Sequence, residues 1–132
     1  MTRKIALAVA AAALITTAAP VAAKSPLEPR PASRGQCFWT HQVNGFASND
    51  DRVVNIRVGV RDVYQFEMFG PCPDIDWNQR IALVSRGGSN ICTGMDAEVI
   101  TRTAIGPQRC PVRSVRKLTP EEIAALPKRA RP

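Results

Sequence analysis

Apolar and polar residues alternate in several short segments along the middle of the chain. Val54, Ile56 and Val58 alternate with Asn55 and Arg57, and a period of two is typical of a strand with one buried face. Gly, Pro, Asn and Asp residues separate these segments and mark turns between them. The strands predicted in this way cover residues 37–46, 53–58, 64–68, 81–85, 91–103 and 111–118.

Six short strands with turn signals between them predict an all-β fold, a small antiparallel barrel or sandwich. We expect the strands to follow one another as an up-and-down meander. Two segments depart from simple alternation. We therefore expect a bulge near Gly94 and another between Val112 and Leu118, where apolar residues are three positions apart. Residues 105–108 are expected to form a loop.

A short C-terminal helix is predicted after the strands. Thr119 is suited to cap it, Pro120 to occupy its first turn, and Glu122 to complete a capping box. Pro127 ends the helix, which is therefore too short to be stable alone. We expect it to pack on the barrel or on a partner.

The N-terminal segment has the three regions of a secretory signal peptide. Arg3 and Lys4 supply positive charge, residues 5–16 are apolar or small, and small residues at 21–23 form a cleavage site. Residues 5–23 are near the length of an uncleaved membrane anchor, but the helix breaker Pro20 and the small residues after it favour cleavage. We therefore expect a periplasmic or secreted protein with no membrane span after cleavage. The expected organisation is a signal peptide over residues 1–23, a Pro-rich disordered leader over 24–36, a β domain over 37–118, and a short helix with a basic tail over 119–132.

The chain is basic, with 18 Lys and Arg residues against 11 Asp and Glu residues and a net charge of +7. Much of the excess lies near the two ends of the expected mature chain, in residues 24–34 and 128–131. Basic ends can attract anionic polymers of the cell envelope, although solvated ends are more common.

Four cysteines in a small exported chain are typical of a disulfide framework. A zinc site is the alternative, but zinc ligands usually come in close pairs, and these cysteines are far apart in the sequence. In a meander, Cys37 and Cys92 lie at one end of the sheet, whereas Cys72 and Cys110 lie at the other. Because a disulfide needs Cα atoms within about 7 Å, we predict the pairs Cys37–Cys92 and Cys72–Cys110.

The predicted β domain contains short motifs at turns and beside cysteines: VRDVY at residues 60–64, GPCP at 70–73, SRGGS at 85–89 followed by IC at 91–92, RCPV at 109–112 and RKLT at 116–119. In combination these motifs resemble a bacterial family of small exported proteins with four cysteines, classed as a domain of unknown function. The resemblance covers about residues 37–120. It implies export and a compact β-rich domain, and it carries no activity over to this chain.

Few residues offer a catalytic arrangement. His41 is the single histidine, and no activated serine motif accompanies it, so we expect it in a packed or rim position. Asp74 and Asp76, with Glu67 nearby in the sequence, could serve as paired carboxylates of a small hydrolase. An Asx turn in which Asp74 caps a short helical turn explains the same residues without catalysis. We expect no catalytic residue, no metal site and no cofactor.

Nucleic-acid binding is disfavoured although the chain is basic. Phe38, Trp39, Tyr64 and Phe66 could stack on bases. Tyr64 and Phe66, however, alternate as core residues, and an exported protein meets little nucleic acid. We therefore expect the partner to be an unknown protein or an anionic envelope polymer.

Together these features predict a non-enzymatic, exported module that is associated with the envelope or binds a protein or polymer. Two alternatives stay open. One is a small hydrolase that uses Asp74, Asp76 and Glu67, and the other is a secreted inhibitor of a foreign enzyme.

Overall fold

The computed structural model describes residues 37–132 of the chain. The expected signal peptide and leader, residues 1–23 and 24–36, lie outside the described residues. Residues 37–132 form eight strands and one short α-helix: β1 (Phe38–Trp39), β2 (Val43–Ala47), β3 (Val53–Val58), β4 (Asp62–Met68), β5 (Ala82–Ser85), β6 (Asn90–Ile91), β7 (Ala97–Thr103), β8 (Gly106–Lys117) and α1 (Pro120–Ala125).

Six of the strands form one curled antiparallel sheet, a half-barrel with the order β2-β3-β4-β8-β7-β5. The predicted fold class, a small antiparallel β structure of about six strands with a short C-terminal helix, is confirmed. The predicted meander is wrong at β4, which pairs with β8 and not with the next strand of the sheet, β5. The later neighbours, β5 with β7 and β7 with β8, pair as a meander requires. Alternation identifies the buried face of a strand, but it does not identify the neighbouring strand, because that choice depends on packing between distant segments.

The inner face of the sheet, defined by Tyr64, Phe66 and Met68 of β4, is buried. The two remaining strands, β1 and β6, pair with each other as a ribbon that packs on this face. The ring of Phe38 in the ribbon lies 4.5 Å from the ring of Tyr64 and 6.1 Å from that of Phe66. Ile91 of β6 is also fully buried. The ribbon therefore supplies the second layer of the core.

Two disulfides hold the ribbon and one long connection in place. Cys37 bonds to Cys92, which joins the two segments that flank the ribbon. Cys72 bonds to Cys110, which ties the connection after β4 to β8. These are the two pairs that the sequence analysis expected. They form although the strand order differs from a meander.

Two predicted strands are each interrupted by a 3₁₀ helix. The strand expected over residues 37–46 breaks at Thr40–Gln42, and the strand expected over 91–103 breaks at Gly94–Asp96. In the first break, the Gln42 side chain accepts a hydrogen bond from the Trp39 amide. Local hydrogen bonds of this kind compete with strand pairing, and alternation does not reveal them.

Gly94 lies against the backbone of β8. A Cβ atom at this position would overlap the carbonyl group of Arg113 and the amide of Ser114. Arg113 is the extra residue where the pairing of β4 with β8 shifts register, so the bulge predicted between Val112 and Leu118 is confirmed. The bulge predicted near Gly94 is instead the 3₁₀ helix, which needs a residue without a side chain to approach β8.

The loop expected over residues 105–108 is shorter than predicted, because β8 already begins at Gly106. Gly106 has a φ angle of 122°, which favours glycine and allows a tight turn. The Thr103 hydroxyl donates a 2.9 Å hydrogen bond to the Gly106 carbonyl and closes this turn.

The C-terminal helix begins as predicted. The Thr119 hydroxyl accepts from the Glu122 amide at 3.3 Å, and the Glu122 carboxylate accepts from the Thr119 amide at 2.8 Å. Glu122 also binds the guanidinium of Arg116 at 2.7 Å. The capping box therefore connects the helix to β8 as well as starting it.

The C-terminal segment is anchored to the domain, although its basic residues Lys128, Arg129 and Arg131 are exposed. Ala130 is buried, and its carbonyl accepts a 2.7 Å hydrogen bond from the Asn55 side chain. The Arg131 guanidinium donates to the carbonyls of Ala124 and Leu126 at the end of α1. The contact with Asn55 joins residues 75 positions apart, so the charge pattern of the C-terminal segment does not indicate it.

Candidate functional site

The two edge strands of the sheet face each other across a groove. β2 and β5 each pair with one neighbour only within residues 37–132. Because the sheet is curled, both edges contribute to the lining of one groove of about 650 Å³. The lining consists of Thr40, residues 43–46, Ile56, residues 79–81 and Leu83.

The groove is lined by apolar and polar surface in about equal measure. Val43 and Phe46 of β2 face Ile81 and Leu83 from the β5 side, and all four are partly buried against the core. Ile56 of β3, which has no exposed surface, forms the floor. A concave surface with apolar side chains and a few polar groups is the usual form of a binding site.

The polar residues of the lining are Thr40, Asn44, Gln79 and Arg80, and they differ in whether they bond within the fold. The Asn44 side chain donates a 2.6 Å hydrogen bond to the Gly59 carbonyl, so its amide is used within the fold. Arg80 is the single charged residue in the lining. Arg80 is exposed, and no carboxylate within residues 37–132 forms an ion pair with it. The groove therefore presents one uncompensated positive charge.

The β2 edge is irregular. The pairing of β2 with β3 shifts register between Val43 and Gly45, which makes Asn44 a bulged residue. Bulges and short strands are devices by which proteins keep an exposed sheet edge from pairing indiscriminately. Residues 45–47, which follow the bulge, are therefore the part of the β2 edge that is regular enough to pair with another strand.

His41 is exposed, so of the two expected positions, packed or at a rim, the packed one is wrong. It lies in the 3₁₀ helix after β1, with its ring 6.1 Å from the ring of Trp39. No hydrogen bond or ion pair joins it to another residue in the described part of the chain.

The three carboxylates of the alternative hydrolase site are not joined by any hydrogen bond in residues 37–132. Glu67 accepts a 3.1 Å hydrogen bond from the Ser114 hydroxyl and lies 4.0 Å from the Arg113 guanidinium. Asp74 and Asp76 belong to the turn after Cys72.

The expected role of Asp74 as a side-chain cap is wrong. Its backbone carbonyl, not its carboxylate, accepts from the amides of Trp77 and Asn78, and these residues form a turn without a helix. Asp74 has a φ angle of 61°, a left-handed conformation that Asp tolerates better than most residues. The sequence indicated a turn here but not which oxygen closes it.

One group of ionisable residues joins the ends of β4 and β8. Lys117 donates to the Asp62 carboxylate at 2.7 Å, and this hydrogen bond raises the pKa of Lys117. Burial raises the pKa of Tyr64, which lies beside Lys117. These residues lie away from the groove lining and stabilise the sheet. Within residues 37–132, no group of three or more His, Cys, Asp or Glu side chains is placed to hold a metal ion.

The groove is not evident from the sequence. Val43 and Ile81 belong to predicted strands, but nothing local indicates that these strands are the two edges. The edges follow from the pairing of β4 with β8, which places β2 and β5 at opposite ends of the strand order.

The fold defines a class of small, disulfide-linked β proteins in which a curled sheet leaves its two edge strands unpaired with each other. The chain belongs to a family of unknown function, DUF6491, whose model matches residues 1–132, in agreement with the resemblance to a domain of unknown function. No curated protein and no solved structure matches the chain. None of the helices within residues 37–132 has the length and apolar character needed to span a membrane.

Proposed function

We propose that this protein is an exported, non-enzymatic binding module that holds an extended segment of another polypeptide in the groove between β2 and β5. The observation that carries the proposal is the presence of two edge strands on either side of one groove, whose lining includes the apolar side chains of Val43, Phe46, Ile81 and Leu83. An extended peptide can add to an exposed strand edge by main-chain hydrogen bonds, while pockets for alternate side chains provide specificity.

The dimensions and lining of the groove suit such a segment. After the bulge at Asn44, β2 offers residues 45–47, and β5 offers four residues, so each edge has a short run of backbone groups. Val43, Phe46, Ile81 and Leu83 provide apolar contacts for the side chains that point into the groove. A volume of about 650 Å³ lies within the range of protein binding sites.

Arg80 defines the charge of the expected partner. Because it is the single charge in the lining and has no ion-pair partner among the described residues, a segment with a carboxylate gains an interaction that a basic segment lacks. We therefore expect a segment of alternating apolar residues with an acidic residue near one end.

Export and the absence of catalysis are parts of this proposal. The two disulfides support export, because such bonds persist in oxidising compartments. Against the hydrolase, the carboxylate of Glu67 is already engaged with Ser114 and Arg113. A general base needs a carboxylate oxygen that can reach the substrate proton, and both oxygens of Glu67 are directed to residues of the fold.

The test is selection of random dodecapeptides displayed on phage against immobilised residues 24–132. Selected peptides are resynthesised, and their affinities are measured for the unmodified chain and for two matched variants. Ile81→Asp places a charge in the groove, whereas Ile105→Asp makes the same change at an exposed turn outside it.

We expect Ile81→Asp to weaken binding by about tenfold or more, and Ile105→Asp to leave it unchanged. N-methylation of alternate peptide amides should also abolish binding, because it removes donors for strand addition. The proposal fails if no peptide is enriched, or if the selected peptides bind Ile81→Asp as tightly as the unmodified chain.

A further inference from the structure

Two arginines converge on one buried carboxylate on the outer face of the sheet, the face opposite Tyr64, Phe66 and Met68. Glu98 lies in β7, between Arg86, which follows β5, and Arg109 of β8. The Glu98 carboxylate is 2.8 Å from the Arg109 guanidinium and 3.5 Å from that of Arg86. These residues are separate from the groove lining.

The burial of the three side chains is unequal. Glu98 is only 12% exposed, whereas Arg86 is 51% and Arg109 is 66% exposed. A buried carboxylate is costly without partners, so Glu98 keeps both guanidiniums in place. At this place the guanidiniums of Arg86 and Arg109 are therefore exposed to solvent, whereas the Glu98 carboxylate beneath them is mostly buried.

The guanidiniums retain donors for another acceptor. Each has five N–H groups, and each gives one hydrogen bond to Glu98. No other residue in the described part of the chain accepts from either group. Because Glu98 restrains both side chains, an incoming anion meets donors that have already lost part of their conformational freedom.

Further positive charge continues along the same face. Arg102 lies opposite Pro107, and Arg109 lies opposite Ile100, so the two arginines are diagonal neighbours at about 7–8 Å between Cα atoms. Arg113 is 58% exposed, and its guanidinium lies at the outer limit of an ion pair, 4.0 Å from the Glu67 carboxylate. The outer positions of β7 and β8 hold no aromatic residue that could stack on bases. A row of cations of this kind matches a linear chain of acidic groups.

We infer that Arg86 and Arg109, held by Glu98, form a binding site for one anionic group of an acidic polysaccharide. The carboxylate or sulfate of a sugar unit accepts hydrogen bonds from both guanidiniums, and Arg102 and Arg113 attract neighbouring units. Arginine suits this role because its planar fork matches such anions.

The experiment measures the binding of a fluorescently labelled heparin octasaccharide to residues 24–132 at physiological ionic strength. Arg86→Gln and Arg109→Gln each remove one donor group and leave Glu98 paired with the other arginine. Arg57→Gln makes the same charge change on β3, three strands from β7, where Arg57 is exposed. Thermal melting of each variant shows that it is folded.

We expect Arg86→Gln and Arg109→Gln each to raise the Kd by about tenfold or more, as for the loss of a charge-assisted hydrogen bond. Arg57→Gln should change it by about twofold or less, since it alters only the overall charge. Equal losses in all three variants would show diffuse attraction to a basic protein and overturn the site. Absence of binding by the unmodified chain would overturn it as well.

Discussion

Asn55 of β3 holds the C-terminal segment to the sheet through Ala130, 75 positions further along the chain. Both residues are buried. The side-chain amide donates to the Ala130 carbonyl at 2.7 Å, and its oxygen accepts from Gln65 of β4 at 3.2 Å. One amide therefore joins two strands and the end of the chain.

Replacement of this amide should destabilise the protein. Asn55→Ala leaves the buried Ala130 carbonyl without its donor, which costs about 1–3 kcal/mol. Urea unfolding of residues 24–132 measures the change. Asn44→Ala removes a hydrogen bond at an exposed position, and we expect a smaller loss there. Equal losses in the two variants would contradict the role assigned to Asn55.

Gly94→Ala should also destabilise the fold, by about 1–3 kcal/mol or more, because the added methyl group overlaps the backbone of β8. Gly87→Ala is the matched control, since no atom lies within 4 Å of a Cβ at that position. Thermal unfolding compares the two. A Gly94→Ala variant as stable as Gly87→Ala would mean that the 3₁₀ helix does not lie as close to β8 as described.

Loss of either disulfide should be severe. The bonds close segments of 55 and 38 residues, which corresponds to about 4 kcal/mol each in the chain-entropy model. Paired Cys→Ala variants, one for each bond, should therefore unfold at much lower urea concentrations. Peptide mapping by mass spectrometry without reduction tests the pairing directly, and four free thiols in natively isolated protein would refute it.

Stability should fall in alkaline solution. The pKa of Tyr64 is raised by burial, and that of Lys117 by its hydrogen bond to Asp62. A group with a raised pKa stabilises the folded state below its unfolded pKa, and this contribution is lost as the pH rises through the folded value. For tyrosine the loss begins at about pH 10.

Tyr64 is the single tyrosine, so phenolate absorbance reports its ionisation alone. We expect ionisation at a pH above the usual value for tyrosine, and a Tyr64→Phe variant whose melting temperature falls less between about pH 9 and 11. Ionisation at the usual value would show that the ring is not buried as the structure places it.

The sequence was informative where structure depends on neighbouring residues. Alternation of Val54, Ile56 and Val58 located β3 and its buried face, and the capping residues Thr119 and Glu122 located the start of α1. The disulfide pairs were expected correctly although the assumed order was not. Cys72 follows β4 whichever strand pairs with β4. Cys110 lies in β8, the strand that pairs with β4 in the structure.

The remaining features depend on residues far apart in the chain. The groove exists because β4 pairs with β8, and the C-terminal residues are held because Asn55 reaches Ala130. The Glu98 site likewise needs Arg86 from the turn after β5 and Arg109 from β8. The pattern of residues within one segment does not specify contacts between distant segments, because these depend on how the whole sheet packs.

The Cys37–Cys92 bond has a mechanical consequence. Cys37 directly precedes β1, and Cys92 directly follows β6. A pulling force applied through the preceding chain therefore reaches a covalent link before it loads any hydrogen bond of the ribbon. The domain should resist being peeled open from that direction, and reduction of this one bond should make it yield at a lower force.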